Sequence, residues 1–387
     1  MAEDKTSTQA TPPSKVWWCD LRTHGKTSRP QMLERLCRKA GLADMDLANK
    51  FVAIKMHFGE PGNLSFLRPN YARVVADLVR EAGGKPFLTD CNTLYVGERK
   101  NALDHLDAAT ANGFGPLTTG CQVIIADGLK GTDDVEVPVA GGVHVQNAKI
   151  GRAIMDADVF ISLTHFKGHD QTGFGGALKN IGMGCGSRAG KMEQHAAGKP
   201  HVDQDRCIGC MACASACAHG AISHRTERPR LASIDQSKCV GCGHCMGVCN
   251  QDAIIANDEA ASEILGERIA EYSKAVCDGR PCFHVSLVID VSPNCDCWEL
   301  NDSPMVPDIG FFASYDPVAL DQACVDAVNS APTNPLSILA DEEHAHPDDP
   351  RIHDHLHMAN PNTSWEATLE HAEKIGHGTR KYELIKV

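Results

Sequence analysis

The sequence predicts an α/β fold: a largely parallel sheet with flanking helices, interrupted by a small α+β insert of bacterial-ferredoxin type. Three observations carry this. Apolar, β-branched runs recur along the chain, each ending in polar residues. Helical stretches separate them, which is the α/β pattern. Two identical cysteine runs sit mid-chain, with strand-like runs before and after them. A run apolar at every position reads as a strand buried on both faces, the habit of parallel sheets.

The elements follow in order. Residues 1–15, "MAEDKTSTQATPPSK", have no apolar stretch and read as a disordered arm rather than a signal peptide. The first part of the core spans 16–200. "FVAIKMHFGEPGN" runs from Phe51 into His57 and Glu60, "KPFLTDCNTLY" ends at Asp90 and Asn92, and "CQVIIADGL" ends at Asp127. Between them, "RPNYARVVADLVREAGG" places Tyr71, Val74, Val75, Leu78 and Val79 on one helical stripe. It opens near Pro69 and stops at Gly83–Gly84. "ALDHLDAATANGF" predicts a second helix, ending at Gly113.

"ISLTHFKGHDQTGFGGALKN" is an apolar run followed by His165, Lys167 and His169, then a glycine-rich loop. The two histidines would share a helix face as i and i+4, but Gly168 and Gly173 favour a loop. "GCGSRAGK", from Gly184 to Lys191, resembles a phosphate loop only loosely. Five residues separate its glycines instead of four, and Met192 replaces Ser or Thr, so a Walker-type ATPase is excluded. An anion nest with Arg188 and Lys191 and a plain turn with surface cations both remain open.

The segment 201–257 holds Cys207, Cys210, Cys213 and Cys217, then Cys239, Cys242, Cys245 and Cys249. Both runs have the spacing C-x2-C-x2-C-x3-C of two-cluster ferredoxins, in which the fourth cysteine of each run ligates the other cluster. The expected sets are Cys207, Cys210, Cys213 and Cys249 for one 4Fe–4S cluster, and Cys239, Cys242, Cys245 and Cys217 for the second. Zinc sites pair two C-x2-C units and do not need this pattern. Ala218 and Asn250 stand where proline usually follows the last cysteine. Short strand-like pieces, Ala221 to Ser223 and Leu231 to Ile234, lie between the runs.

A helical connection, Glu263 to Val276, leads to the second part of the core, 258–332. There "CFHVSLVIDVSPNCDCW" ends at Cys295, Asp296 and Cys297, and "IGFFASYDPVALDQ" ends at Asp316. Because strands resume after the cysteines, the cysteine-rich unit reads as an insertion. Residues 333–387 read as a His-rich loop and a C-terminal helix, "SWEATLEHAEKIGHG" with Ser364 as cap, packing on the core.

In parallel sheets, ligands sit at the carboxyl ends of strands. The polar tips there give the candidate catalytic residues His57, Glu60, Asp90, His165, Lys167, His169 and Lys179. Histidine can move protons, and lysine can hold a carboxylate or phosphate. Cys185, Cys295 and Cys297 are candidates for a third metal centre, with a histidine as a further donor, because thiolate and imidazole suit Zn, Ni or Fe. C-x-C neighbours are poor disulfide partners, though a bent loop can aim both at one metal. Buried free thiols near a turn are the alternative.

Composition narrows the partners. A net charge of −13 and 5% aromatics argue against nucleic acid. No window of 18 apolar residues marks a membrane span, and a cytoplasmic location is expected. Eighteen cysteines in such a chain point to metal ligation before disulfides. No G-x-G-x-x-G follows the early strands in usable form. Electrons are therefore expected from a redox partner protein or a low-potential donor.

The stretches "AIKMHFGEPGN", "FLTDCNTLYVGERKNALDHLDAATANGF", "VIIADGL", "SLTHFKGHDQTGFGGALKNIGMGCGSRAGKMEQH", both cysteine runs, "CDCWELNDSPMVPDIG" and "DPVALDQA" carry a resemblance. From about Val16 to Val387 the chain resembles the iron–sulfur-centre proteins of the domain-of-unknown-function 362 family, in the form with a two-cluster ferredoxin insert. The resemblance implies a redox iron–sulfur protein, often of anaerobic metabolism, and brings no substrate. The expected function is an oxidoreductase whose two 4Fe–4S clusters exchange electrons with the polar site, where an anionic small molecule is held. The alternatives are a non-catalytic electron carrier or redox scaffold, and a metal-dependent non-redox enzyme with structural or sensory clusters.

Overall fold

The computed structural model describes residues 12–23, 25–94, 97–195, 199–217, 219–239, 245, 249, 251, 253–255 and 260–387. Strands β1 (Ser14–Asp20), β2 (Phe51–Lys55), β3 (Lys85–Asp90) and β4 (Gln122–Ile125) alternate with helices α1 (Arg29–Lys39), α2 (Pro69–Glu81), α3 (Ala102–Ala111) and α4 (Pro116–Thr119). Strands β5 (Asp134–Pro138) and β6 (Asn147–Gly151) form a separate hairpin, and α5 (Arg152–Met155) leads on to β7 (Val159–His165). A second small hairpin, β8 (Lys167–His169) with β9 (Gly173–Gly175), precedes α6 (Ala177–Cys185) and α7 (Arg188–His195).

The cysteine-rich segment contains β10 (His201–Val202), α8 (Ala212–Ala216), β11 (Ile222–His224), β12 (Ala232–Ile234) and β13 (Ile254–Ile255). Beyond it come α9 (Ala260–Cys277), β14 (Cys282–Val288), β15 (Gly310–Ser314) and α10 (Pro317–Asn329). The chain then forms α11 (Ile338–Ala345), α12 (His355–Ala359), α13 (Trp365–Lys374) and β16 (Tyr382–Lys386).

Eight strands make one sheet in the order β16-β1-β15-β14-β7-β2-β3-β4. All run parallel except β15, which is antiparallel to both its neighbours. The β14–β15 connection carries no helix, so it cannot make the crossover a parallel pair requires. The expected largely parallel α/β sheet is therefore present, with one reversed strand. Every residue of β7 is buried. Its Val159, Ile161 and Leu163 join the apolar layer of α1 and α2, whereas Phe160 joins the opposite layer of α6, α9 and α10. Alternating side chains of one strand thus supply two cores, which explains a run buried at every position.

Three stretches differ from their sequence reading. "FKGHDQTGFGG" is the β8–β9 hairpin rather than an irregular loop. Gly168 is required there, because a Cβ would lie 2.3 Å from the Pro293 carbonyl oxygen, and Gly173 turns the chain at φ +73°. Ser14 and Lys15, assigned to the disordered arm, begin β1, while residues 1–11 lie outside the described residues. Residues 333–387 form three helices and then β16, which pairs with β1 and extends the sheet. Alternation in "YELIK" is imperfect and its burial partial, so periodicity alone did not mark it.

Candidate functional site

Strands β3 and β4 lie on one side of β2, and β7 and β14 on the other. The chain's strand order reverses between β2 and β7, and such a switch opens a crevice at the strands' carboxyl ends. Asn180, on α6, bridges this split. Its Nδ2 donates to the Lys55 carbonyl at 3.3 Å, the Leu163 carbonyl at 3.4 Å and Thr164 Oγ1 at 3.0 Å. Lys55, the last residue of β2, is 1% exposed. Its Nζ donates to Asn180 Oδ1 at 2.8 Å and pairs with Asp90 Oδ1 at 3.0 Å. Burial would raise the Asp90 carboxyl, but Lys55, with His105, His57 and Lys191 behind it, holds it well below the usual carboxylate range. A buried lysine needs such a partner.

His57 and Glu60 form a second group with Arg99. Arg99 Nε donates to Glu60 Oε2 at 2.7 Å, and the Glu98 amide donates to Glu60 Oε1 at 2.6 Å. His57 Nδ1 accepts from the Gly59 amide at 2.9 Å, and its Nε2 lies 2.9 Å from Arg99 Nη1. Burial, then the Arg99 charge, drives the imidazole well below its ordinary value, so it is neutral. Glu60 is spent in an ion pair and orients Arg99.

The third group is built on the loop after β14. Asp296 is fully buried. His165 Nδ1 donates to Asp296 at 2.9 Å and its Nε2 donates to the Ile289 carbonyl at 2.8 Å. Both ring nitrogens face acceptors. His165 is therefore a clamp on this loop, with neither nitrogen left for a substrate. Lys167 Nζ donates to the His165 carbonyl at 2.9 Å and lies 3.7 Å from Asp296 Oδ2. Against burial, His165 and Lys167 bring the Asp296 carboxyl down to about 2. The Glu60 amide donates to the Asp296 carbonyl at 2.9 Å, joining this loop to the second group.

Asp296 is held on one side, and its neighbours meet His169. Cys295, Cys297 and His169 each offer a donor atom, all within 4.8 Å of one another. Lys179, also on α6, donates from Nζ to Cys295 Sγ at 3.5 Å. A hydrogen bond from Cys297, helped by Lys179, Lys167 and His169, holds the Cys295 thiol well below its usual range despite burial. The same bond and burial push Cys297 up. Cys185 does not join them. It ends α6 on the Lys55 side, where its carbonyl accepts from the Cys91 thiol at 3.3 Å and burial pushes its thiol up to about 12. The six residues from Lys179 to Cys185, over one and a half turns of α6, carry the chain away from Cys295.

Two loosely read features now have places. Lys191 is no surface cation of a turn: it lies on α7, is 7% exposed, and donates to the Gly186 carbonyl at 2.6 Å. Asp321, inside "DPVALDQA", caps α6 from α10 by accepting the Ala177 and Leu178 amides at 2.7 and 2.8 Å. Lys55, Arg99, Asn180 and Asp321 were missed as site residues. A lysine closing the apolar run "FVAI" was the one available signal.

In the cysteine-rich segment, Cys207, Cys210, Cys213 and Cys249 line one cavity of about 330 Å³, counting its open mouth, with Val202, Ile208, Met211 and Ile254 as apolar cover. Backbone amides aim at the sulfurs: Gly209 and Ala232 at Cys207, at 3.4 and 3.5 Å, and Ala253 at Cys249, at 3.4 Å. The Ala221 amide donates to Cys217 Sγ at 3.4 Å. Cys239 is half-buried and Cys245 buried, while Cys242 lies outside the described residues. Four thiols around one apolar cavity, with N–H groups toward sulfur, fit an anionic thiolate-bound cluster.

Both ends of this segment stand beside the Cys295 group. His195, closing α7, is pushed down to about 3 by burial and by Lys179, His169 and Lys191. On the return side, Ser262 Oγ donates to the Gln171 carbonyl at 2.6 Å, within the β8–β9 turn next to His169. Among the described residues, no helix is long and apolar enough to cross a membrane.

Comparison with known proteins adds four findings. A thylakoid-associated protein of Synechocystis sp. is 30% identical over 128 residues, 32% of this chain and 35% of that protein. The chain thus matches about a third of that relative's length. The lactate racemase apoprotein of Thermoanaerobacterium thermosaccharolyticum superposes with a TM-score of 0.43 at 10% identity, covering 81% of this chain and 57% of that one. A Thermotoga maritima protein superposes with a TM-score of 0.34 at 14% identity, over 76% and 57% of the two chains. The profile of the domain-of-unknown-function 362 family matches residues 52–326, from β2 into α10. That stretch contains all three buried charge groups and the cysteine runs, a chain suited to metal or iron–sulfur binding. By this match, the protein belongs to the domain-of-unknown-function 362 (DUF362) family.

Proposed function

We propose that the protein is an iron–sulfur oxidoreductase that exchanges electrons between its cysteine-rich insert and the polar site of the α/β core. The observation that carries this reading is the anchoring of the insert's two ends beside the β8–β9 hairpin and Lys179. A carrier that only docked partners would not need its stem fixed to a buried polar site. Cys207, Cys210, Cys213 and Cys249 would hold one 4Fe–4S cluster. Cys217, Cys239, Cys242 and Cys245 would hold the other, and the clusters would supply one-electron transfer.

The chain's own residues do the rest. Lys167 and Lys179 present ammonium groups in a dry crevice, where an anionic small molecule is bound far more strongly than in water. Arg99, held by Glu60 and beside His57, adds a third positive group on the Cys297 side. Asp296, His165 and Glu60 keep the crevice's loops in register. Electrons reach the insert from a redox partner protein or another low-potential donor, and the acidic surface suits docking to a basic partner.

The test is anaerobic. Dithionite-reduced protein is mixed with candidate carboxylates and phosphates, and visible bleaching and electron paramagnetic resonance are followed. Reoxidation by a small molecule, slowed at least about tenfold by K167M, is the expected outcome. Reoxidation by partner proteins alone, with no effect of K167M, would replace this reading with that of a bare electron carrier.

A further inference from the structure

The Cys295–Cys297–His169 group needs a separate account. Its three donors come from the loop after β14 and the end of β8, and Cys295 and His169 are 1% and 5% exposed. Asp296 sits between the two cysteines and points the other way, locked by His165 and by the Glu60 amide. The lock forces both sulfurs to the same side of the loop, toward His169. Packed together in a dry site, the two sulfurs and the imidazole have only weak sulfur hydrogen bonds to offer one another. They gain a great deal from a cation that all three can ligate.

We infer that Cys295, Cys297 and His169 form a third metal centre, a three-donor site for one borderline-soft divalent ion of the zinc, cobalt, nickel or iron(II) class. The donor set itself selects this class: thiolates exclude magnesium and calcium, which require oxygen ligands. With two thiolates and a neutral imidazole, a divalent ion is electrically neutral. Lys179, bonded to Cys295 Sγ, then leaves one positive charge beside the metal. Three protein donors leave a fourth tetrahedral position, and that charge suits an anionic ligand in it, as in catalytic rather than structural sites.

His169 needs one adjustment. Its Nδ1 receives the Gln171 and Thr172 amides at 3.1 and 3.2 Å and lies 3.5 Å from Asp170 Oδ1. Nε2 is therefore the nitrogen left for the metal. On metal uptake the ring proton moves from Nε2 to Nδ1, where Asp170 accepts it in place of the two long amide contacts. The remaining thiol proton leaves to solvent as the metal–sulfur bond forms. A carboxylate behind a ligating histidine is the usual support of such sites.

The experiment uses the anaerobically purified full chain with its clusters in place. Co²⁺ is the probe, because thiolate-bound tetrahedral cobalt absorbs strongly in the red, beyond most cluster absorption. The wild type is expected to take up about one cobalt per chain with that absorption. C295S and C297S should each lose it, and C185S should keep it. D170N, altered at a half-exposed side chain and so little burdened in folding, should bind about 10–100-fold more weakly. No red absorption in the wild type, its persistence in both serine variants, or unchanged affinity in D170N would overturn the assignment. Iron is measured in every sample. Iron far below about eight per chain would sink the two-cluster reading and leave the cobalt result readable.

Discussion

Asp296 sets the geometry of the loop on which the site depends. Its carboxylate is held by His165 and Lys167, and its stabilising effect exists only while it is ionised. The folded value of about 2 lies below the unfolded value near 4. That stability is full above about pH 5 and is lost as pH falls from about 4 through 2. D296N should lower stability by about 3–5 kcal/mol at pH 7, because it strands the buried Lys167 ammonium and takes the ionised acceptor from His165 Nδ1. Thermal unfolding across this pH range, followed by circular dichroism, should show the acid-side loss in the wild type and a shallower one in D296N. An equally steep acid limb in both would refute the role. At this scale the sequence named His57, Glu60, Asp90, His165, Lys167, His169 and Lys179. It did not name their partners. Lys55 ends a strand and Arg99 lies in a loop, so neither stands out by periodicity, and pairing across 35 or more residues is a tertiary fact.

Among the elements, α9 is the axle on the side of the sheet opposite α2. It crosses α6 where Gly182 meets Ile269, and α13 where Gly266 meets Thr368. Added Cβ atoms would lie 2.1 Å from the Ile269 carbonyl oxygen and 2.4 Å from Thr368 Oγ1. These glycines let helices approach to backbone contact. G182A should therefore cost about 1–3 kcal/mol and shift α6, which carries Lys179 and Asn180. A lowered melting temperature together with impaired cobalt uptake is the expected result, and an unchanged melting temperature would refute the packing argument. The helix α9 and the strands β2, β3, β4, β7 and β14 were legible because their apolar patterns are long. The helix α6, "ALKNIGMGC", was not, because two glycines written into it for packing look like turn residues. The hairpin β5–β6 and the strand β16 are too polar to stand out.

For the whole molecule, the α/β class and the continuation of the core beyond the cysteines were legible, and the order of strands was not. Order depends on which long-range pairs close. No local pattern reports that β1 would pair with both β15 and β16. The insert's stem is narrow: His201 pairs with Ile255 and Val202 with Ile254. Antiparallel partners of this kind are about 5 Å apart. Replacing the segment between them with a short Gly-Ser turn should therefore leave a core that melts cooperatively within a few degrees of the parent. Loss of a cooperative transition would show that the segment is needed to hold the core together.

The pairing of β7 with β14 also dictates a sequence of events during synthesis. When β7 leaves the ribosome, the strand that will cover its open edge has yet to be made, and the whole cysteine-rich segment must be translated first. Residue by residue, Phe160 waits for Cys282 and His165 for Leu287. For those seconds the unpaired edge of a strand destined for full burial is exposed, a template for aggregation. A segment that collapses early around its own thiols shortens the distance between the two halves and the time the edge stays bare. Starving cells of iron during expression should then harm the yield of soluble protein, even though the core itself holds none of the insert's cysteines.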